Sequence, residues 1–588
     1  MSAPSEVSAI RAIPRVTLSS ITFSGGRTID LESDEVVLIV GANNAGKSAT
    51  LAQILSRITA DGQPTTVVTG LSLRKEGTVE ELKGYLESEA KFQPGQQSRY
   101  RGFGWEVYSQ AIDRDWSREN SLAQLAPVFV KILTSVERTT ACNSTSSIDF
   151  TSNQPPSHPL HVLHVKDAIM KTASAAFKTA FGEPLMLHKG AGAALPLMVG
   201  VPPALQDPSV PPQFSSETLS MPKLANQGDG MRAFATVMIS IIAGRESIVL
   251  LDEPEAFLHP PQARILAAKI QQDRRAKGQL FISTHSVDTV IGAVDSNDSS
   301  VRVIRLRRDG NINHATCLDN QEIKRLWGDP LLRHSNILDA LFHERVVVCE
   351  ADSDARFYSA MLDALHDEYG GEKLKPEVMF THCGGKDRVP VVVRALKAID
   401  VPVQVVVDFD VLSDAKTMMN ITESVGIVWS DVSSQWATVN SAIVSKRPEL
   451  AAEDVKEEIA KILNGIKTKQ FPDESAKSIK KVLQKASPWE EAKKHGIGFV
   501  RGDQHQACKD LFGELKRFGL HILEIGEMES FDPACSEHGA KWVNHVLSAR
   551  DLITDPDLEP AREFIVKLLG LPYMKKASEG RQPTPTSV

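Results

Sequence analysis

Val36-Val-Leu-Ile-Val40 runs straight into Gly41-Ala-Asn-Asn-Ala-Gly-Lys-Ser48, and Ala49 to Ile58 follows with helical spacing. Five apolar residues read as a buried strand, and the loop after them fits G-x-x-x-x-G-K-[ST] in its strand–loop–helix setting. An ordinary glycine-containing turn shares the glycines but not the whole motif. Gly41 and Gly46 let the backbone wrap until successive N–H groups face a phosphate, and the helix N-terminus adds partial positive charge. Lys47 is expected at the β- and γ-phosphates and Ser48 on Mg²⁺, with Asn43, Asn44, Gly46 and Ala49 completing an ATP-binding loop.

Working outward, the chain of 588 residues has room for two or three domains. A net charge of -8, from 66 basic and 74 acidic residues, excludes a general basic coat, so any nucleic-acid contact has to come from a local groove. Cys142, Cys317, Cys349, Cys383, Cys508 and Cys535 are scattered without a C-x-x-C pair, which suits reduced thiols rather than disulfides or a zinc knuckle. With no secretory leader and no apolar run long enough for a bilayer, a cytoplasmic chain with no membrane partner is expected.

Residues before Ile10 read as disordered, and β-prone runs at Val16 to Phe23 and Arg27 to Leu31 flank Ser24-Gly-Gly26 as a hairpin. Residues 60–215 read as an insertion in the first domain, a candidate for dimerisation, with an acidic helix near Val79 to Glu89. Ala141 to Pro159 and Gly200 to Gln213 have linker composition. His158, His161 and His164 recur every three residues, which matches neither a helical metal pair nor a Cys/His zinc pattern, so a structural role is expected.

Further on, Leu224-Ala-Asn-Gln-Gly-Asp-Gly-Met-Arg232 opens an apolar helix through Ala243, a second arrangement suited to an anion. Ser247-Ile-Val-Leu-Leu-Asp-Glu253 is an apolar strand ending in carboxylates. Asp252 is expected at the metal's water shell, and Glu253 is placed to deprotonate the water attacking the γ-phosphate. Gln279 to His285 is another strand, whose terminal His285 is expected to sense that phosphate.

P-loop, glycine-rich signature, strand with Asp-Glu-Pro and switch histidine, in that order, resemble the ABC-type ATPase head shared by SMC-like proteins and the OLD (overcoming lysogenization defect) nucleases. The wording LDEPEAFLHP is similar to the OLD side. The resemblance implies that the loop with Gly228 and Gly230 closes on the nucleotide of another copy, hence a homo-oligomer of at least two chains. The loop departs from the usual LSGGQ wording, and the insertion lacks the sustained heptads of SMC-type repair proteins.

A new pattern starts near residue 341. Glu344-Arg-Val-Val-Val-Cys-Glu350 is a strand ending in a carboxylate, followed by Ala-Asp-Ser-Asp354 and a helix. Thr381-His-Cys-Gly-Gly-Lys-Asp387 precedes another helix, and Val403 to Asp410 ends in D-x-D. Alternating strands and helices predict a parallel sheet whose strand ends share one edge, so Glu350, Asp408 and Asp410 are expected to meet. Such a cluster repels itself unless a hard cation fills it, and all-oxygen donors select Mg²⁺ or Mn²⁺.

Strand-end Glu350, Gly384-Gly385 and the Asp408/Asp410 strand resemble a Toprim domain, with Ala351 standing where glycine is expected. The resemblance implies that Glu529, and Glu527 beside it, lie near the metals; Asp354 is a further candidate ligand and Lys541 a candidate helper of the leaving group. Residues 413–495 read as a Lys/Glu-rich helical insertion and 576–588 as a disordered tail.

The expectation is an α/β chain, an ABC-type P-loop ATPase head over 1–340 followed by a Toprim domain with helical insertions over 341–575. By resemblance it is an ATP-regulated, metal-dependent nuclease acting on DNA in prokaryotic anti-phage defence, with room for a second defence-system protein as partner. Two alternatives stay open: a Toprim effector that cuts RNA such as tRNA, and an ATP-switched scaffold without nuclease activity.

Overall fold

The computed structural model describes residues 13–571 apart from 96, 135–137, 139–142, 149–155, 190–191, 202–216, 274–277, 296–300, 331, 333–335, 369–376, 447–451, 469 and 485–487. The expected disordered ends and most of the two linkers lie outside the described residues. The chain divides into two compact units, Met1–His343 and Glu344–Val588.

In the first unit, six strands form one sheet in the order Ile312–Leu318, Val301–Asp309, Val36–Gly41, Gln279–Ser283, Ile248–Asp252 and Val130–Leu133. All are parallel except Ile312–Leu318, which pairs antiparallel with its neighbour. Every residue of Val36–Gly41 is buried, which explains its unbroken apolar run: strands covered on both faces have no polar side. Parallel register brings Gly41, Asp252 and Ser283 to one edge. Val130–Leu133 lies inside the expected insertion yet forms an outer strand of this sheet. Its short run, with two half-buried residues, carries too little pattern to announce that place.

Arg15–Phe23 pairs antiparallel with Thr28–Asp30, the expected hairpin, and also with Val68–Glu76. The acidic helix is Val79–Glu89, started by a capping box in which Thr78 and Glu81 satisfy each other's backbone N–H. The apolar spacing from Glu322 to Leu341 predicts one helical stretch; helix Asn320–Gly328 stops before Asp329, and a 3₁₀ segment, Ile337–Phe342, lies further on. Pro330 accounts for the break, since its ring disfavours helical backbone at Asp329.

In the second unit four parallel strands lie in the order Val378–His382, Arg345–Cys349, Val403–Val407, Leu520–Ile522. The third strand ends three residues earlier than expected: Asp408 precedes a 3₁₀ turn, Phe409–Ser413, that carries Asp410. The expected helical insertion contains Ala415–Val425, Trp429–Val444, Ala452–Asn464, Asp473–Gln484 and Pro488–His495. Helices Asp352–Glu368, Ala540–Ala549 and Glu559–Leu569 enclose an apolar core around Phe357, Trp542 and Ile565.

Candidate functional site

The loop after Val36–Gly41 is held by its neighbours. Gly41 (φ 148°) and Gly46 (φ 95°) take backbone that side chains avoid, and a Cβ on Gly41 would sit 2.3 Å from the Leu306 carbonyl. Asn44 takes the left-handed region that asparagine tolerates (φ 58°). Asn313, unmarked in the sequence, donates from Nδ2 to the Ala45 carbonyl at 2.7 Å and bounds the space over Gly46. Helix Lys47–Thr59 begins at Gly46 with no side-chain cap, so its first N–H groups suit a phosphate. Lys47 Nζ donates to the Gly41 and Ala42 carbonyls, each at 2.8 Å, while Asn43 and Ser48 are exposed and Ala49 packs at the core's margin.

On the same edge, Asp252 ends its strand and accepts from Ser283 Oγ. Glu253 follows in left-handed backbone (φ 47°), with its N–H on the Ser283 carbonyl at 2.9 Å and its carboxylate 3.1 Å from His285 Nε2. Non-glycine residues are strained there, and Phe257 (φ 71°) bounds the same turn. Two groups escaped the sequence reading. Arg138 is buried, donates to the Glu253 carbonyl and faces the charges of Glu255, Asp252 and Glu253. Glu255 Oε1 accepts from Thr284 Oγ1 (2.6 Å) and from the His285 backbone N–H (3.0 Å). Burial pushes the Glu255 carboxyl above its usual range. Glu255 thus positions the histidine loop against the Asp252 strand.

Glu255→Ala is expected to lower ATP turnover roughly 10- to 100-fold, because small displacements of a reacting constellation are costly. Glu255→Gln, which keeps one acceptor oxygen, should retain most of it; equal steady-state rates for the two variants would refute the positioning role.

Gly228 precedes helix Asp229–Ala243, with open space where a Cβ would point. At Gly230 a Cβ would lie 2.7 Å from the Phe257 carbonyl, so the signature loop and the strained turn pack backbone to backbone.

In the second unit, parallel strands bring Glu350, Asp408 and Asp410 together, with one oxygen of each within 4.8 Å of the others. Glu350 Oε1 accepts from the Asp408 N–H at 3.0 Å, and Gly385 donates to the Glu350 carbonyl at 2.9 Å. Gly384 (φ 74°) and Gly385 (φ 125°) make that approach feasible. Ala351 needs no left-handed backbone; its N–H is taken by Asp354 Oδ2 at 3.0 Å. Asp354 is therefore beside the three carboxylates rather than among them, its carboxyl raised by burial and by Glu529. Glu529 is anchored by the Gly539 N–H at 2.7 Å, and Glu527 lies 3.6 Å from Lys493 Nζ.

Two lysines counter this charge. Lys386 Nζ is 3.0 Å from Asp410, and Lys493, from helix Pro488–His495 of the insertion, is 2.9 Å from Asp408. The sequence reading named Lys541 instead, which is exposed on helix Ala540–Ala549. Lys493 is fixed by close packing: a Cβ on Gly526 would meet the Lys493 carbonyl at 1.9 Å.

Burial raises Glu350 to about 7, Asp410 adding to it, and burial carries Asp408 well above the carboxylate range. Burial works against the Lys493 ammonium, but Asp408, Asp410 and Glu527 hold it above its ordinary value. Acids that resist ionising together, all offering oxygen, fit a hard divalent cation.

A pH dependence follows for metal-free protein. Between 4.5 and about 7 folded Glu350 keeps a proton that the unfolded chain has lost. Its contribution is complete below the lower value and disappears as pH rises through the upper one, on the order of 3 kcal/mol in all. Urea unfolding in chelator at pH 5 and pH 8 should show that fall, and Mg²⁺ should flatten it.

Two of the three spaced histidines have structural roles. His158 caps helix Pro159–Val165 by accepting from Leu160 N–H, and His161 Nε2 meets the Ser146 carbonyl at 2.9 Å.

Fold and sites define a P-loop unit built on a mostly parallel sheet and, on the same chain, a unit whose parallel sheet gathers three carboxylates. Residues 341–410 match the family model "Overcoming lysogenization defect protein-like, TOPRIM domain", and residues 216–291 match "AAA domain, putative AbiEii toxin, Type IV TA system". Over 175 residues the chain is 25% identical to the Old nuclease of Escherichia phage P2, a match covering 29% of this chain and 28% of that protein. Together these findings support a place among the OLD-family ATPase–Toprim proteins. Among solved structures, an SmcHead bound to the C-winged helix domain of ScpA is 13% identical (TM-score 0.33, covering 53% of this chain and 99% of that one). The SMC head domain from Thermotoga maritima is 11% identical (TM-score 0.27, covering 52% and 99%). No helix among the described residues is long and apolar enough to cross a membrane.

Proposed function

We propose that the chain is an ATP-regulated, divalent-metal-dependent nuclease that cuts or nicks DNA, acts as a homo-oligomer of at least two copies, and serves anti-phage defence in the cytoplasm. The observation that carries this reading is the convergence of Glu350, Asp408 and Asp410 on one sheet edge. These residues, with Glu529 and Asp354 behind them, would hold Mg²⁺ or Mn²⁺, which supplies phosphate polarisation and water activation when bound. The chain's own contribution is positional: Lys386 fixes Asp410, and the Lys493 ammonium offers a proton and a positive charge to the departing oxygen. In the first unit ATP and Mg²⁺ would be held by Asn43, Asn44, Gly46, Lys47, Ser48, Ala49 and Asp252, with Glu253 as base and His285 at the γ-phosphate. Gly228 and Gly230 would meet the nucleotide of a second copy.

The test is nicking of supercoiled plasmid with Mg²⁺ or Mn²⁺, with and without ATP. Open circles should form only with metal, and Lys47→Ala should lose the response to ATP while keeping the cut. Absence of metal-dependent product from both plasmid and total tRNA would leave the scaffold reading, and cleavage of tRNA alone would change the substrate.

A further inference from the structure

Most carbonyls of the phosphate loop are tied back by the helix that follows it. Gly41 O and Ala42 O accept from Lys47 Nζ, and Gly46 O accepts from the N–H and the Oγ1 of Thr50, each at 2.8 Å. The Ala45 carbonyl is held differently. Its donor is Asn313 Nδ2, 2.7 Å away, which reaches in from the antiparallel edge strand Ile312–Leu318.

The peptide between Ala45 and Gly46 is one whose orientation the backbone does not fix by itself. In a trans peptide the carbonyl and the N–H point opposite ways, so an Ala45 oxygen turned to Asn313 turns the Gly46 N–H away from it. That N–H meets no acceptor among the described residues and stands one residue before helix Lys47–Thr59, at the end where an anion is favoured. Rotating the peptide plane would exchange the two, and an oxygen would face the phosphate in place of a donor. Gly46 lies at φ 95°, but glycine takes either sign of φ at little cost. Nothing local forbids the rotation.

Asn313 is set rigidly enough to forbid it. The residue is 3% exposed, its N–H donates to Ser24 Oγ at 2.8 Å, and its carbonyl accepts from the Gly25 N–H at 3.0 Å. Ser24 Oγ also lies 3.4 Å from Asn313 Oδ1, which leaves Nδ2 as the end of the amide turned to Ala45. Ser24 N–H in turn donates to the Val67 carbonyl at 2.9 Å. A Cβ placed on Gly46 would lie 2.9 Å from Asn313 Nδ2 and 3.1 Å from Val67 Cγ2, so hairpin tip, Val67 and edge strand close as a collar over that glycine. We infer that Asn313 is a positioning residue for nucleotide binding, its amide holding the Ala45–Gly46 peptide so that the Gly46 N–H donates to the phosphates shared by ATP and ADP. The inference rests on the nucleotide-binding reading of the loop given above.

The test is ADP with Mg²⁺, titrated calorimetrically into the full-length protein, beside steady-state ATP turnover. Asn313→Asp keeps the side chain's shape and sets an oxygen against the Ala45 carbonyl; Asn313→Leu keeps the volume and removes the donor. Both should bind ADP at least about tenfold more weakly, the scale for losing a hydrogen bond to a charged group. Calorimetric stoichiometry counts the folded fraction separately from affinity, so partial unfolding is not mistaken for a lost contact. KM for ATP should rise by a similar factor with kcat within about threefold, because the phosphate oxygens concerned are held before and during the reaction. Ser24→Ala loosens the collar but leaves the amide in place, and should keep ADP affinity within about threefold. Wild-type affinity in the Asn313 variants overturns the inference, as does a fall in kcat with KM unchanged. An equal loss in Ser24→Ala overturns it too, by assigning the effect to packing. Wild-type protein that binds no ADP would remove the nucleotide reading and this inference together, whereas variants that match a binding wild type remove this inference alone.

Discussion

Asp408→Ala is expected to reduce metal-dependent nicking by roughly three orders of magnitude or more, with ATP turnover unchanged. Asp408 lies between Glu350, whose Oε1 takes its backbone N–H, and Lys493 at 2.9 Å, so its carboxylate is where the two halves of the cluster join. Alanine can keep that backbone hydrogen bond while removing the carboxyl group. In chelator the variant should therefore melt no lower than wild type, because a buried carboxylate that resists ionising has gone. Added Mg²⁺ should raise the wild-type melting temperature, since a ligand of the folded state stabilises it, and should do much less for the variant. Undiminished cutting would remove the nuclease assignment from this edge. An equal metal response in both proteins would remove the cation site.

What the sequence could disclose followed from periodicity and topology. Glu350, Asp408 and Asp410 were readable together because each follows an apolar run, and a parallel sheet gathers such ends without knowledge of any side-chain contact. The P-loop was legible for the same reason, its motif being local. Asn313, Glu255 and Arg138 were not: each acts through a tertiary contact, with nothing in its own neighbourhood to mark it. Glu255 is instructive, since LDEPEAFLHP was read for its first two acids while the third is the one buried. The stop at Asp329 is different, because Pro330 stands in the sequence itself and disfavours helical backbone at the residue before it.

Lys493 is the extreme case of this illegibility, and its substitution gives the second large effect. It comes from a Lys/Glu-rich stretch whose neighbours Lys494 and Glu491 form an ordinary exposed pair, so composition alone describes a solvated face. Only the packing of Gly496 and Gly526 against the opposing backbone turns this one lysine toward Asp408 and Glu527. Lys493→Met keeps the length and apolar stem of the side chain but removes the ammonium. Nicking is expected to fall roughly 10²- to 10³-fold, the scale for losing one charge-stabilising donor. In chelator the variant should lose about 1–3 kcal/mol, a buried-pair penalty discounted because the side chain is a third exposed, since Asp408 and Glu527 would face each other without their shared cation. Divalent metal should restore stability, by filling the vacated charge, without restoring the rate. That dissociation distinguishes a lysine acting on the substrate from one that only holds the cluster together: if metal rescues both stability and rate, Lys493 is structural.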